Sequence, residues 1–190
     1  IYNVKWCVEA FRESRITKAK WKSDNEPSIV ALKEAVKMER SERIVLESPP
    51  VKESKSNGAI ETTIQQVQGQ FRVMKDGLES RISERIREES HIVPWMVLHA
   101  ARTLNRFHVG SDGKTAYRRW KGKDFKRDIA EFGESVMYLK PGTVGKDKFC
   151  ARWERGIWLG IRDETSEVII GTESGVVKAR DFKRLGSSEE

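Results

Sequence analysis

Apolar and polar positions along this chain change period several times, and each change predicts an element. From about residue 4 to residue 14, Trp6, Cys7, Ala10 and Phe11 recur at helical spacing and predict a short helix with those four inward. Residues 16–22 then alternate apolar with basic, the period-two signature of a strand, which ends at Ser23-Asp24-Asn25. Pro27 leads into a helix over residues 28–36; proline is tolerated in a first turn because its missing N–H would have no helical partner there. Residues 41–46 predict a second strand, stopped by Pro49-Pro50, and residues 51–57 a polar loop able to close over a site.

The clearest pattern follows. Ile60, Ile64, Val67, Phe71, Met74, Leu78 and Ile82 recur every three or four residues and predict one long helix with a continuous apolar stripe. Glu61, Gln65, Gln68, Arg72 and Lys75 recur at the same spacing on a neighbouring face, so Glu61 shares its face with amides and cations and with no other acid. Gly69 and Gly77 weaken this helix by roughly 1 kcal/mol each relative to alanine. Ser90 opens another helix, with Pro94 in its first turn and Trp95, Met96, Leu98, Ala101, Leu104 and Phe107 inward. After a turn at Gly110-Ser111-Asp112-Gly113 comes a basic stretch with Tyr117 and Trp120 interleaved, where burial in a core is the favoured role for both rings. From Glu134 onward the pattern becomes short β runs at residues 136–139, 153–161, 167–170 and 176–179, as in a small sheet or barrel.

The expected fold is therefore mixed α/β. Residues 1–88 would form a first α/β region, 89–128 a helical extension carrying the basic segment, 129–186 a small β-rich, SH3-like domain, and 187–190 a tail. Six Trp and seven Phe in 190 residues supply real cores, while 34% charged residues argue for an extensive solvated surface. The net charge of +7 is concentrated: residues 102–127 hold nine Lys/Arg, Lys114, Arg118, Arg119, Lys121 and Lys123 among them, against Asp112 and Asp124. A block of that kind suits a polyanion, nucleic acid before an acidic membrane face; taken alone it is equally a solvated face.

Cys7 and Cys150 are the two cysteines, and neither lies in a CxxC. With His91, His99 and His108 spaced eight and nine apart, no zinc-ligand pattern can be built, and the histidines read as ordinary helix or surface residues. The thiols point to a reducing, intracellular compartment. No run of eighteen apolar residues is present, so no membrane span is expected. The chain starts Ile1-Tyr2-Asn3 within predicted structure, so a piece of a longer product is expected.

Candidate chemistry centres on two carboxylates. Asp24 follows a predicted strand, and Glu61 opens the long helix within Ser56-Asn57-Gly58-Ala59-Ile60-Glu61. Each alone is commonplace: aspartate often ends a strand, and glutamate favours a first helical turn. In the order strand, Asp, helix, strand, loop, helical Glu, the two can reach one edge of a sheet, where α/β folds place their ligands. Hard oxygen ligands converging from different elements are what a pair of Mg²⁺ ions needs for phosphoryl transfer.

Ser23-Asp24-Asn25, the interval to Glu61 and the 56–61 segment together resemble integrases of the retroviral type, the DDE superfamily. Lys114-Thr115-Ala116-Tyr117-Arg118-Arg119-Trp120-Lys121-Gly122, Phe132-Gly133-Glu134 and Arg155-Gly156-Ile157-Trp158-Leu159-Gly160 resemble segments that follow the core in copia-like retrotransposon Pol polyproteins. The resemblance spans about residues 4–184. It implies a partial RNase H-like core, with Asp24 and Glu61 as the second and third of three metal-binding acids and two Mg²⁺ (or Mn²⁺) ions in the complete site. It places Asn57 in a DNA-positioning loop and Gln65 and Gln68 on a DNA-facing helix, with Arg72, Lys75, Lys114, Arg118, Arg119, Lys121 and Lys123 holding phosphates. The implied activity is 3′-end processing and strand transfer into target DNA. The implied partners are element ends, target DNA and further copies of the chain, in the nucleus or a cytoplasmic virus-like particle. The sequence departs from the pattern in several places, among them the absence of the His/Cys zinc-binding domain that precedes the core in many relatives and of reverse-transcriptase or chromodomain motifs in the C-terminal segment. Glu26 stands where the family usually has glycine after Asp-Asn, and no aspartate precedes Asp24. This chain alone is thus expected to bind nucleic acid without cutting or joining it. The alternative is a non-enzymatic DNA-binding remnant of a retroelement.

Overall fold

The computed structural model describes residues 2–23, 25–47, 58–142 and 151–186. The chain is mixed α and β and divides into two compact units, Ile1–Gln65 and Gln66–Glu190. The long helix crosses the division.

The first unit contains α1 (Tyr2–Glu13), β1 (Lys18–Lys22), α2 (Pro27–Glu39) and β2 (Arg43–Glu47). It also includes the opening turns of α3 (Gly58–Ile82). On α1 the half-buried positions are Val4, Cys7, Val8, Ala10 and Phe11, of which Val4, Cys7, Val8 and Phe11 make the i, i+3, i+4, i+7 pattern of one helical face. Trp6 lies off that face and is exposed, contrary to the inward placement expected of it. Arg15 ends the helix in a left-handed conformation (φ 53°). Its N–H donates to the Arg12 carbonyl and that of Ile16 to the Phe11 carbonyl, a Schellman closure made without the usual glycine.

β1 and β2 pair in parallel with α2 as the crossover, in the register Lys18–Arg43, Ala19–Ile44, Lys20–Val45, Trp21–Leu46 and Lys22–Glu47. Their alternation puts Ala19, Trp21, Ile44 and Leu46 on the sheltered side and the polar residues on the other. Phe11 meets Trp21 edge-on at 5.4 Å, Val36 is fully buried, and the Lys33 ammonium, also buried, donates to the Glu47 carbonyl at 2.9 Å.

The second unit contains the rest of α3, then α4 (Val93–Phe107), α5 (Ala116–Lys121) and a five-stranded antiparallel sheet. The strands are β3 (Ser135–Leu139), β4 (Trp153–Ile161), β5 (Val168–Thr172), β6 (Gly175–Ala179) and β7 (Phe182–Arg184), in the order β6-β5-β4-β3-β7. Sheet order places β7, which the sequence pattern alone does not single out, beside β3.

The sheet is buried on both faces, which explains the unbroken apolar run of β4. Trp158 and Ile161 join Val136, Tyr138, Val168, Ile170, Ala179 and Phe182 in one core. Leu159 and Ile169 face the other way, onto Leu78 of α3, Met96 of α4 and Phe132. The α3 stripe is thus used from Val67 to Leu78, whereas Ile60, Ile64 and Ile82 are exposed. On α4, Met96 and Ala100 point inward, while Leu98 and Phe107, expected inside, are exposed. The helix turns by its contacts: His99 and Arg106 occupy the inner face as well, so the apolar count alone misplaces its axis.

Candidate nucleic-acid interface

Asp24 and Asn57 lie outside the described residues. Glu61 sits in the first turn of α3, where a negative charge is favoured by the helix dipole, and is exposed. Among the described residues no three His, Cys, Asp or Glu side chains lie close enough to hold a metal ion, so the described donors alone do not compose a two-ion site. Gln65, Gln68 and Arg72 are exposed along the helix, at the spacing that puts them on Glu61's face. Lys75 is half-buried and ion-paired with Glu79 one turn on. That bond, with the Ile86 N–H donating at 2.7 Å, holds the Glu79 carboxyl below its ordinary range.

The basic segment separates into structural and available cations. Arg106, buried on α4, donates to the Ile161 carbonyl at 2.7 Å and to Asp163 at 2.5 Å, while Arg102 grips the other Asp163 oxygen at 3.1 Å. Both arginines therefore clamp the turn after β4, and their charge is spent inside the fold. Thr115 caps α5 by accepting the Arg118 N–H, and Gly122 closes it at φ 72°. Arg118 pairs with Asp124 at 3.3 Å and Arg119 with Asp112 at 2.5 Å. The Arg119 guanidinium, its main partner, pulls the Asp112 carboxyl down to about 2. Lys121 lies 3.7 Å above the Trp120 ring. Tyr117 is buried, edge-on to Phe125 at 5.4 Å, and serves the core. Lys114 and Lys123 are exposed and make no ion pair among the described residues.

Lys123 also lines a cleft of about 780 Å³ between the 123–128 segment and the sheet. Lys126, Arg127, Arg152 and Arg180 line it too, against Asp124, Asp128 and Asp181, over a floor that includes Tyr117, Phe125 and Phe182. Arg127 donates to the Arg180 carbonyl at 3.3 Å and faces Asp181 at 3.9 Å. Sequence reasoning missed Arg152 and Arg180 because they lie far along the chain from the 102–127 block, at the ends of β runs, and only the folded sheet brings them to the 123–127 cluster.

No protein-family model matches this sequence, and no curated protein matches it either. Among the solved structures similar to this chain is a chain in the cryo-EM structure of the simian T-cell lymphotropic virus intasome in complex with PP2A regulatory subunit B56 gamma. The identity is 14% and the TM-score 0.45, over 96% of this chain and 63% of that one. No helix of the described residues is long and apolar enough to cross a membrane.

Proposed function

We propose that this chain is part of an integrase-type polynucleotidyl transferase and that it engages DNA through the cations of its second unit. The observation that carries the reading is the parallel β1–α2–β2 unit. Asp24 comes two residues after the carboxyl end of β1 in the sequence, and Glu61 stands in the first turn of the helix that follows β2. Parallel α/β units bind their ligands outside the carboxyl ends of their strands. In the complete protein Asp24 and Glu61 would be ligands for Mg²⁺ or Mn²⁺, which would supply stabilisation of charge on the transferring phosphoryl group. Gln65, Gln68 and Arg72 offer hydrogen bonds to a backbone lying along α3. Lys114, Lys121 and Lys123 supply charge that fixes position without reading sequence.

The test is a Mg²⁺-dependent strand-transfer assay on the longer product that would furnish the remaining carboxylate, wild type against Glu61→Gln. Joining is expected to fall by two orders of magnitude or more in the variant, the scale on which loss of transition-state charge stabilisation is felt, roughly 10²-fold or above. Undiminished joining would remove Glu61 from the site. DNA binding without joining by either protein would favour the remnant reading.

A further inference from the structure

The outer face of the β1–β2 pair carries chemistry that no part of the proposed site uses. Strand alternation puts Lys18, Lys20, Lys22, Arg43, Val45 and Glu47 on that face, all of them exposed. Four are cations and one is an acid. Lys20 reaches Glu47 at 3.6 Å, whereas Lys18, Lys22 and Arg43 make no ion pair among the described residues. Register sets Lys18 directly opposite Arg43, while Lys22 has Glu47 opposite it. Like charges facing each other across a strand pair are unfavourable, so the Lys18–Arg43 end of the face bears a cost that a bound anion would reduce.

The spacing is regular as well. Alternate residues of a strand stand about 6.6 Å apart, so Lys18, Lys20 and Lys22 form an evenly spaced row of positive charge along β1. A depression of about 250 Å³ is lined by Lys18, Ala19, Lys20, Arg43 and Val45. Val45 is the one apolar side chain on the face. A flat cationic surface with so little to insert into acyl chains suits a phosphodiester backbone better than a lipid surface, where buried apolar area adds much of the binding.

We infer that the outer face of β1–β2 is a second nucleic-acid surface, in which Lys18, Lys22 and Arg43 contact phosphates of a duplex. It does not depend on the strand-transfer reading, and shares with it only the class of partner. These contacts carry no sequence information and act through counterion release, so their signature is salt dependence.

The experiment uses the whole chain and a fluorescein-labelled duplex, with affinity measured by anisotropy between about 50 and 200 mM salt. Each lost phosphate contact reduces the slope of log K against log[salt] by about 0.9. Lys18→Gln/Lys22→Gln/Arg43→Gln is therefore expected to flatten the slope by about 2 to 3, and Lys18→Arg/Lys22→Arg/Arg43→Lys to keep it. Lys114→Gln/Lys121→Gln/Lys123→Gln serves as the second-unit control. A control that flattens the slope while the sheet variant leaves it unchanged would overturn the inference and leave the proposed function standing. Absence of duplex binding by the wild-type chain would also overturn it, as would a sheet variant that loses affinity for phosphatidylserine vesicles but not for DNA. Should the glutamine variant fail to fold, lysine acetylation footprinting of the wild-type chain decides. Bound duplex is expected to protect Lys18 and Lys22 but not exposed Lys37 on α2, and equal labelling of all three would refute the contact.

Discussion

At the scale of single residues, His99 is the side chain whose environment departs furthest from its reading in the sequence. It was expected to be an ordinary helix or surface histidine. It instead stands between Phe132 at 5.4 Å and Trp158 at 5.1 Å, and its Nδ1 has no hydrogen-bond partner among the described residues. Burial, reinforced by the charges of Arg106 and Arg102, lowers its pKa from 6.5 to about 4. Above pH 6.5 both folded and unfolded chains are neutral at this position, so nothing is lost. Between pH 6.5 and 4 the unfolded chain takes a proton that the folded one refuses, and stability falls as pH falls. The second unit should be about 2 kcal/mol less stable at pH 5 than at pH 7 from this group alone. Urea titrations followed by tryptophan fluorescence at the two pH values measure the difference. His99→Phe, which keeps a ring against Phe132 and Trp158 but cannot titrate, should abolish most of it. An equal pH dependence in the variant would place the effect elsewhere.

At the scale of elements, β4 shows which patterns reach through to structure and which do not. Its apolar run was legible as a strand, but not the fact that Trp158 and Leu159 serve opposite cores, because that needs a layer on each face. Its glycines answer to neighbours distant in sequence. Gly160, at φ 134°, accompanies the register shift after Trp158. At Gly156 an added Cβ would strike Ile170 Cγ2 and lie 3.1 Å from both Tyr138 Cδ1 and the Gly171 carbonyl. Ile170 is fully buried and the carbonyl is backbone, so neither can yield cheaply. Gly156→Ala should therefore cost about 1 to 3 kcal/mol, the usual penalty of overpacking, read as a lower urea midpoint with an unchanged slope. A midpoint equal to wild type would show that β4 shifts freely. The same limit governs α4: its charge was legible, but Arg102 and Arg106 were assigned to a surface block because their common partner, Asp163, comes from a turn far along the chain.

At the scale of the whole molecule, the two units are unequally built. Among the described residues the first unit fully shelters Lys33, Val36 and Ile44, and one of those three is an ammonium. The second shelters two clusters that run through every strand of its sheet except β7's flanking residues and β6's exposed face. A parallel pair of strands normally has both faces covered, and here the outer face is cationic and open. A two-stranded pair with so small a core gains little apolar burial to offset the entropy of ordering its residues. The strand–helix–strand–helix order was legible in the sequence, whereas the cleft cations Arg152 and Arg180 were not, because only the folded sheet gathers them. Native-state hydrogen exchange should follow the same division. Amides of β1 and β2 are expected to exchange by local opening at least tenfold faster than those of β4 and β5, a difference of about 1.4 kcal/mol or more in opening free energy. Saturating duplex DNA should slow β1 and β2 if it contacts their outer face, because a ligand bound to the folded form alone stabilises it by mass action. Equal protection of the two sheets in the free chain would mean that β1–β2 is held by more than the core described for it.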